Sequence, residues 1–167
     1  MIRDATPDDA RAIAEVHVAS WRVAYEGLMP REVIESRTVE VRERMWHSVV
    51  ADEEDVRVLV LEEGGAVCGF ASVGAVRDPD LDRQRIGELY GLYLDPDVWG
   101  GGLGRKLHDD ALAALRALGF TEAALWVLDT NVRARRFYEA AGWRTDGAEK
   151  GEAHLGPINE VRYRLTL

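Results

Sequence analysis

Apolar positions along the chain alternate between two rhythms, one near 3.6 residues and one of two. Ile2 to Ala5 reads as a short strand. Thr6-Pro7-Asp8-Asp9 follows as a helix start, with a capping threonine, proline at the first helical position and acids in the first turn. The helix turns Ile13, Val16, Ser20 and Trp21 toward one side. Pro30 interrupts it, and a second helical stretch is predicted from Arg31 through Trp46, with Val33, Ile34, Val41 and Met45 as its apolar members and Arg42 and Arg44 outside. Val56 to Leu61 and Val67 to Val73 flank Glu63-Gly64-Gly65 as a hairpin.

Arg77 to Arg85 is a polar loop, and Ile86 to Leu94 a strand ended by Asp95-Pro96. A helix from Leu103 to Leu118 carries Leu107, Ala111, Leu115 and Leu118 on one face, and Gly119 supplies its left-handed stop. Ala123 to Leu128 is a strand, Val132 to Ala141 a helix stopped by Gly142, and strands follow from Trp143 and over Val161 to Leu167. Hairpins mixed with strand–helix–strand crossovers predict a single α/β (α+β) domain over residues 1–167, a mixed sheet with helices on its faces.

Composition narrows the class. The 167 residues are 47% hydrophobic and 31% charged, ordinary for one globular domain, and no apolar run approaches a membrane span. The N-terminus lacks the basic-then-apolar layout of a secretory signal, which makes the cytoplasm the expected compartment and a membrane an unexpected partner. The net charge of −9 disfavours general nucleic-acid binding and is compatible with a cationic substrate. Cys68 is the single cysteine and sits in a strand pattern, so a buried inert thiol is expected. The four histidines, His17, His47, His108 and His154, show no metal-ligand spacing, so no metal is expected.

One stretch departs from ordinary patterning. "DPDVWGGGLGRKL", residues 95–107, places four glycines between a strand end and a helix and closes on Arg105 and Lys106. Glycine costs backbone entropy, so a run needs a reason. Free N–H groups at a helix N-terminus, with the helix dipole and no side chains in the way, form an anion site suited to phosphate or pyrophosphate. A tight turn alone is the plainer alternative. The P-loop pattern fails, because Gly104 is followed by Arg105-Lys106-Leu107 rather than lysine and a hydroxyl residue. The dinucleotide pattern fails too, because Arg105 falls in the sixth place counted from Gly100. A nucleotide-binding protein is therefore disfavoured.

Residues 88–107 resemble the acetyl-CoA-binding segment of the GCN5-related N-acetyltransferase (GNAT) superfamily. Its pattern, Gln/Arg-x-x-Gly-x-Gly/Ala after an apolar-x-Pro strand end, is met by Leu94-Asp95-Pro96 and by Gly102 and Gly104, with Trp99 in the Gln/Arg place as a departure. "NVRARRFYEAAGW", residues 131–143, resembles the family's later motif through Asn131, Ala134, Phe137-Tyr138, Gly142 and Trp143. The element order is similar over nearly the whole chain, the N-terminal third in layout only. The resemblance implies a mostly antiparallel sheet of about six or seven strands and acetyl-CoA as acyl donor. It further implies direct transfer to a primary amine of a small molecule or a protein N-terminus.

By the same resemblance, backbone N–H groups across Gly100, Gly101, Gly102, Leu103, Gly104 and Arg105 would hold the pyrophosphate. The Trp99 place would contribute through its backbone. The strand at Leu92, Tyr93 and Leu94 would splay from the one at Ala123 to Leu128 to admit the pantetheine arm, one of its N–H groups polarising the thioester carbonyl. Tyr138 matches the tyrosine that protonates the departing thiolate. Glu88, placed by a period of two on the side of Leu92 and Leu94, is a candidate base for the amine, or else a solvated strand-end acid. Asn131 caps the last helix, binds the pantetheine amide, or does both. Trp21 and Tyr25 lie four apart on the first helix and its exit; the early helices overhang the acceptor site in this family, so the two rings line the acceptor pocket or pack as core aromatics. Glu26 and the acidic loop Asp78 to Asp82 attract an amine or are solvated surface. Tyr93 points opposite to Leu92, toward core. Dimerisation through the late strands stays open, and a non-catalytic acyl-CoA-binding module is the rival to an enzyme.

Overall fold

The computed structural model describes residues 1–151 and 159–167; His154 lies outside the described residues. Strand β1 (Ile2–Asp4) leads through a 3-10 turn at Pro7–Asp9 into α1 (Ala10–Tyr25), α2 (Arg31–Glu35) and α3 (Val39–Asp52). The hairpin β2 (Val56–Glu63) and β3 (Ala66–Ala75) follows, then β4 (Ile86–Leu94), a 3-10 turn at Pro96–Val98 and α4 (Leu103–Ala117). The chain continues through β5 (Glu122–Leu128), α5 (Val132–Ala140), β6 (Arg144–Gly151) and β7 (Asn159–Thr166). The seven strands form one sheet in the order β1-β2-β3-β4-β5-β7-β6. Every neighbouring pair is antiparallel except β4 and β5, which are parallel.

The sheet carries a core on each face. On one, α4 and α5 bury Leu107, Leu115, Leu125 and Trp143 with Leu89 and Leu94 of β4. On the other, α1 and α3 bury Ile13, Val16 and Trp46 against Val60 and Phe70. Each core contains a histidine that accepts a hydrogen bond from an indole. Trp46 Nε1 donates to His17 Nδ1 at 3.0 Å and Trp143 Nε1 donates to His108 Nε2 at 2.9 Å. A nitrogen that accepts is unprotonated, so both rings are neutral struts. Burial holds the His17 pKa down to about 3 and lowers that of His108. Cys68 is buried, and burial raises its thiol pKa, as an inert core residue requires.

Two details differ from the pattern-based reading. The helix expected over Arg31 to Trp46 is two helices, because Thr38 is extended (φ −83, ψ 160) and its hydroxyl accepts from the Val41 amide at 3.4 Å, restarting the helix. The restart changes the phase. Trp46 is buried against Phe70, with ring centroids 4.9 Å apart, while Val41 is 48% exposed. Leu118 lies past the last turn of α4 and is also exposed, and Gly119 takes the left-handed φ of 92 that ends the helix.

Two acids of the loop Asp78 to Asp82 join an ion-pair cluster, although Asp80 stays 61% exposed. Asp78 and Asp80, with Asp146 of β6, surround the buried guanidinium of Arg162 on β7 at 2.8–3.1 Å. The loop between β3 and β4 is thereby fastened to the far side of the sheet. A charge buried with its partners is costly to expose alone.

A second ion pair fixes the start of α1. Arg3 donates to both Asp9 carboxylate oxygens, at 2.7 and 2.8 Å, and the Thr6 amide donates to the same carboxylate at 2.7 Å. The Arg3 guanidinium holds the Asp9 carboxyl well below the usual carboxylate range. A depressed folded pKa stabilises the fold above the unfolded value of about 3.9 and is lost as pH falls toward the folded value. Asp9→Asn should therefore cost about 2 kcal/mol at neutral pH in urea unfolding, and the difference from wild type should shrink below about pH 4. A pH-independent difference would rule out the ion pair as its source.

Candidate active site

The site begins where the two parallel strands part. β4 and β5 pair only at Ile86–Glu122, Gly87–Ala123 and Glu88–Ala124. Beyond Glu88 they diverge. β4 stays bonded to β3 on its other edge as far as Leu94, and β5 to β7 as far as Leu128. The result is a wedge with an unpaired strand edge on each side, within a cavity of about 880 Å³. Unpaired edges of this kind accept an extended amide-bearing chain as an added strand.

β4 is also bulged. Opposite β3, Gly91 pairs with Ser72 and Leu89 with Val73, which leaves Tyr90 as the extra residue. The bulge inverts the alternation. Leu89, Leu92 and Leu94 face the α4 core, whereas Tyr93 packs on the α1 core, and a Cβ on Gly91 would strike the Tyr93 ring. A Cβ on Gly87 would strike Leu115 and Phe120, so its neighbour Glu88 faces the other way. The period of two that put Glu88 on the side of Leu92 and Leu94 is therefore broken at Tyr90, and Glu88 lies on the α1 face of the wedge. Its side chain is 8% exposed; Oε2 accepts from the Arg77 amide at 3.0 Å, and Oε1 is 3.6 Å from the Arg77 guanidinium.

The glycine run closes the opposite end. Gly100 and Gly102 have φ of 84 and 81, which a side chain would strain. Their reversal aims a series of main-chain amides outward. None of the five from Gly100 through Gly104 donates to a described residue, while the Arg105 amide bonds Gly102 O at 3.1 Å. Trp99 does not extend the free run, because its amide is taken by Pro96 O at 3.2 Å. Its indole instead donates to Leu94 O at 3.0 Å, and the Arg133 guanidinium lies 3.6 Å over the ring. Arg105 is paired with Asp109 at 2.9 Å, so its charge at the turn is partly compensated.

α5 forms the roof of the wedge. Asn131 Oδ1 accepts from the Ala134 amide at 3.1 Å, which caps the helix and leaves the side-chain NH2 for the cavity that Asn131 lines. Tyr138 lines the same cavity, and its hydroxyl has no hydrogen-bond partner among the described residues. Burial, then the nearby Tyr93, raises its pKa, so it is a protonated phenol at neutral pH. Phe137 packs edge-on against His108, at 5.7 Å between centroids.

Trp21 and Tyr25 of α1 pack with tilted rings, centroids 4.3 Å apart, and both reach the cavity. Trp21 is also nearly buried, with Nε1 donating to Tyr93 Oη at 3.4 Å, so it serves the core and the wall at once. Glu26 is outside the cavity lining. Several lining residues carry no signal in the sequence pattern: Arg37, Arg77, Trp126, Lys150 and Glu160. Lys150 and Glu160 reach the site only through the pairing of β6 with β7. Arg133 also lines the cavity; it lies inside the second sequence block but matches none of its motif positions.

Among the described residues, no group of three or more His, Cys, Asp or Glu could hold a metal ion, and no helix is long and apolar enough to cross a membrane.

A wedge between parallel strands, ending at a turn of free amides, fits a pantetheine arm and its diphosphate. Comparison with known proteins agrees. The acetyltransferase (GNAT) family model matches residues 12–143, and the chain belongs to that family. It is 34% identical over 130 residues to the uncharacterized N-acetyltransferase YuaI of Bacillus subtilis, covering 78% of this chain and 72% of that one. It is 27% identical over 153 residues to the spermidine N(1)-acetyltransferase of Thermoplasma acidophilum, covering 89% and 92%. In fold it matches the PaiA N-acetyltransferase of Thermoplasma acidophilum in complex with coenzyme A, with a TM-score of 0.79 at 21% identity over 100% of this chain and 98% of that one. The protein is an acetyl-CoA-dependent N-acetyltransferase.

Gly102→Val should weaken CoA binding at least about tenfold by calorimetry, since a side chain at φ 81 strains the turn and obstructs its amides. Unchanged affinity in a folded variant would detach the turn from the diphosphate.

Proposed function

We propose that the protein acetylates a primary amine of a small molecule by direct transfer, with Glu88 and Tyr138 handling the two protons. One observation carries the reading. The wedge opens onto a single cavity holding free amides at one end, a buried carboxylate at the other, and a phenol with no described partner on its roof.

Acetyl-CoA supplies the acetyl thioester. The chain's amides at Gly100 to Gly104 hold the diphosphate, where the dipole of α4 adds partial positive charge. The free edge of β4 at Leu92 to Leu94 aligns the pantetheine arm, and an N–H from that edge faces the carbonyl oxygen. A preorganised donor of this kind is worth about 10²–10³ in rate. Asn131 adds a side-chain donor. Glu88 receives the proton of the attacking amine, directly or through a water, from the α1 side of the sheet. Tyr138 gives its hydroxyl proton to the sulfur as the carbon–sulfur bond breaks. Its raised pKa keeps the proton in place beforehand, so transfer accompanies the growth of negative charge on sulfur. Trp21 and Tyr25 wall the acceptor side.

Tyr138→Phe removes the proton and keeps the ring packing against Trp143 and His108. Turnover should fall by about 10²–10³-fold while CoA affinity stays within about twofold. Equal losses in both quantities, or a loss in neither, would reject Tyr138 as the acid.

A further inference from the structure

The chain has 21 lysine and arginine residues, and only Lys106 and Lys150 are lysines. Lys150 lines the cavity, whereas Lys106 is exposed on α4 outside the lining. Arg37, Arg77, Arg105 and Arg133 line the cavity as well, but a guanidinium keeps its proton and is no nucleophile. Among the described lining residues, Lys150 alone offers an amine that a thioester can acylate.

Strand register puts that amine on the face of the sheet that carries Glu88. Lys150 pairs with Glu160 of β7, and Glu160 pairs with Leu128 of β5. Leu128, Trp126 and Ala124 follow one another by twos, and Ala124 pairs with Glu88. Directly paired side chains share a face, so Lys150 lies on the α1 side. Its stem reaches past β7, and Nζ lies 4.3 Å from the centre of the Trp126 ring on β5. Trp126 is the second residue beyond the last pair between β4 and β5, so it stands on the border of the wedge. Its indole is held there by Nε1, which donates to Asp78 Oδ2 at 2.9 Å. Glu160 Oε2, 3.4 Å from Nζ, keeps the amine beside the ring.

We infer that Lys150 is a self-acetylation site: the protein moves an acetyl group from acetyl-CoA to its own Lys150 within one molecule. The inference rests on the acetyl-transfer reading above and adds an acceptor built into the chain. Lysine carries its amine on a flexible four-carbon stem, which lets Nζ leave the Trp126 face for the wedge. The bond from Nζ to the carbonyl carbon forms as the carbon–sulfur bond breaks. The ammonium gives up two protons. Glu160 passes one to solvent, and the other balances the proton that Tyr138 gives to sulfur. The products are an amide at Lys150 and the free CoA thiol. Acetylation takes a positive charge away from Trp126 and Glu160, which alters the electrostatics of the cavity wall.

The test incubates the whole protein with acetyl-CoA alone and maps acetyl groups by peptide mass spectrometry, with Lys106 as the internal comparison. Lys150 should be acetylated at least about tenfold faster than Lys106. Its rate per molecule should stay constant when the protein is diluted, because the transfer is internal. Tyr138→Phe should slow the labelling of Lys150 by the same factor as amine turnover and leave the slow labelling of Lys106 unchanged. Lys150→Arg, which keeps a cation at that position, should remove the fast label. Thiol release with tyramine and with spermidine, followed in parallel, separates the two readings. With amine-dependent thiol release intact, three results would each overturn self-acetylation and leave acetyl transfer standing: Lys150 labelled no faster than Lys106, a rate per molecule that falls on dilution, or a rate that Tyr138→Phe leaves untouched while slowing amine turnover. No fast label and no thiol release with either amine, while CoA binding persists in calorimetry, would remove both readings.

Discussion

The parting of β4 from β5 after Glu88 is the constraint on which the rest of the structure depends. Two adjacent parallel strands in a covered sheet would ordinarily pair along their length, because a buried amide without a partner is costly. Here each strand is held from behind, β4 by β3 and β5 by β7, while the leucines of β4 and the valine and leucine of β5 anchor both to the α4 core. The sheet therefore cannot close without tearing a ladder on either side. The bulge at Tyr90 adds local twist at the point of divergence and turns Glu88 to the α1 face. A single register irregularity thus accompanies the channel and sets which side its carboxylate faces.

The polar groups around the wedge follow from the same constraint. At its wide end the chain leaves β4 through Pro96 and reverses at Gly100 and Gly102, so that successive amides point outward before α4 begins. Trp99 locks the strand end by bonding Leu94 O, and Arg133 stacks on its indole to bring α5 against the turn. At the narrow end the buried Arg162 gathers three aspartates and fastens the loop carrying Arg77. Neutral histidines brace both cores through their indole partners.

Much of this was legible in the chain. Strand and helix periodicity gave nearly every element, because the helices have clear stops at Gly119 and Gly142 and the strands are rich in branched residues. The glycine turn was legible because only glycine suits its left-handed backbone. The orientation of Glu88 was not, since a bulge inserts one residue without any compositional mark and reverses every side chain beyond it. The split of the second helix turned on one threonine able to cap. Arg37, Lys150 and Glu160 were hidden for a different reason. They come from distant segments and line one cavity only once the stretch between α2 and α3 reaches it and β6 pairs with β7. The role of Asp78 and Asp80 was likewise invisible until Arg162 of the last strand was placed beside them.

The central claim is that the unpaired amides of the turn are the chain's grip on the coenzyme's diphosphate. Amide spectroscopy of isotope-labelled protein during a CoA titration tests it most directly. The account predicts large, saturable shifts at Gly100 to Gly104, together with residues on both edges of the wedge, Leu92 to Leu94 and Leu125 to Leu128. Saturable binding that leaves the glycine amides unmoved would contradict it.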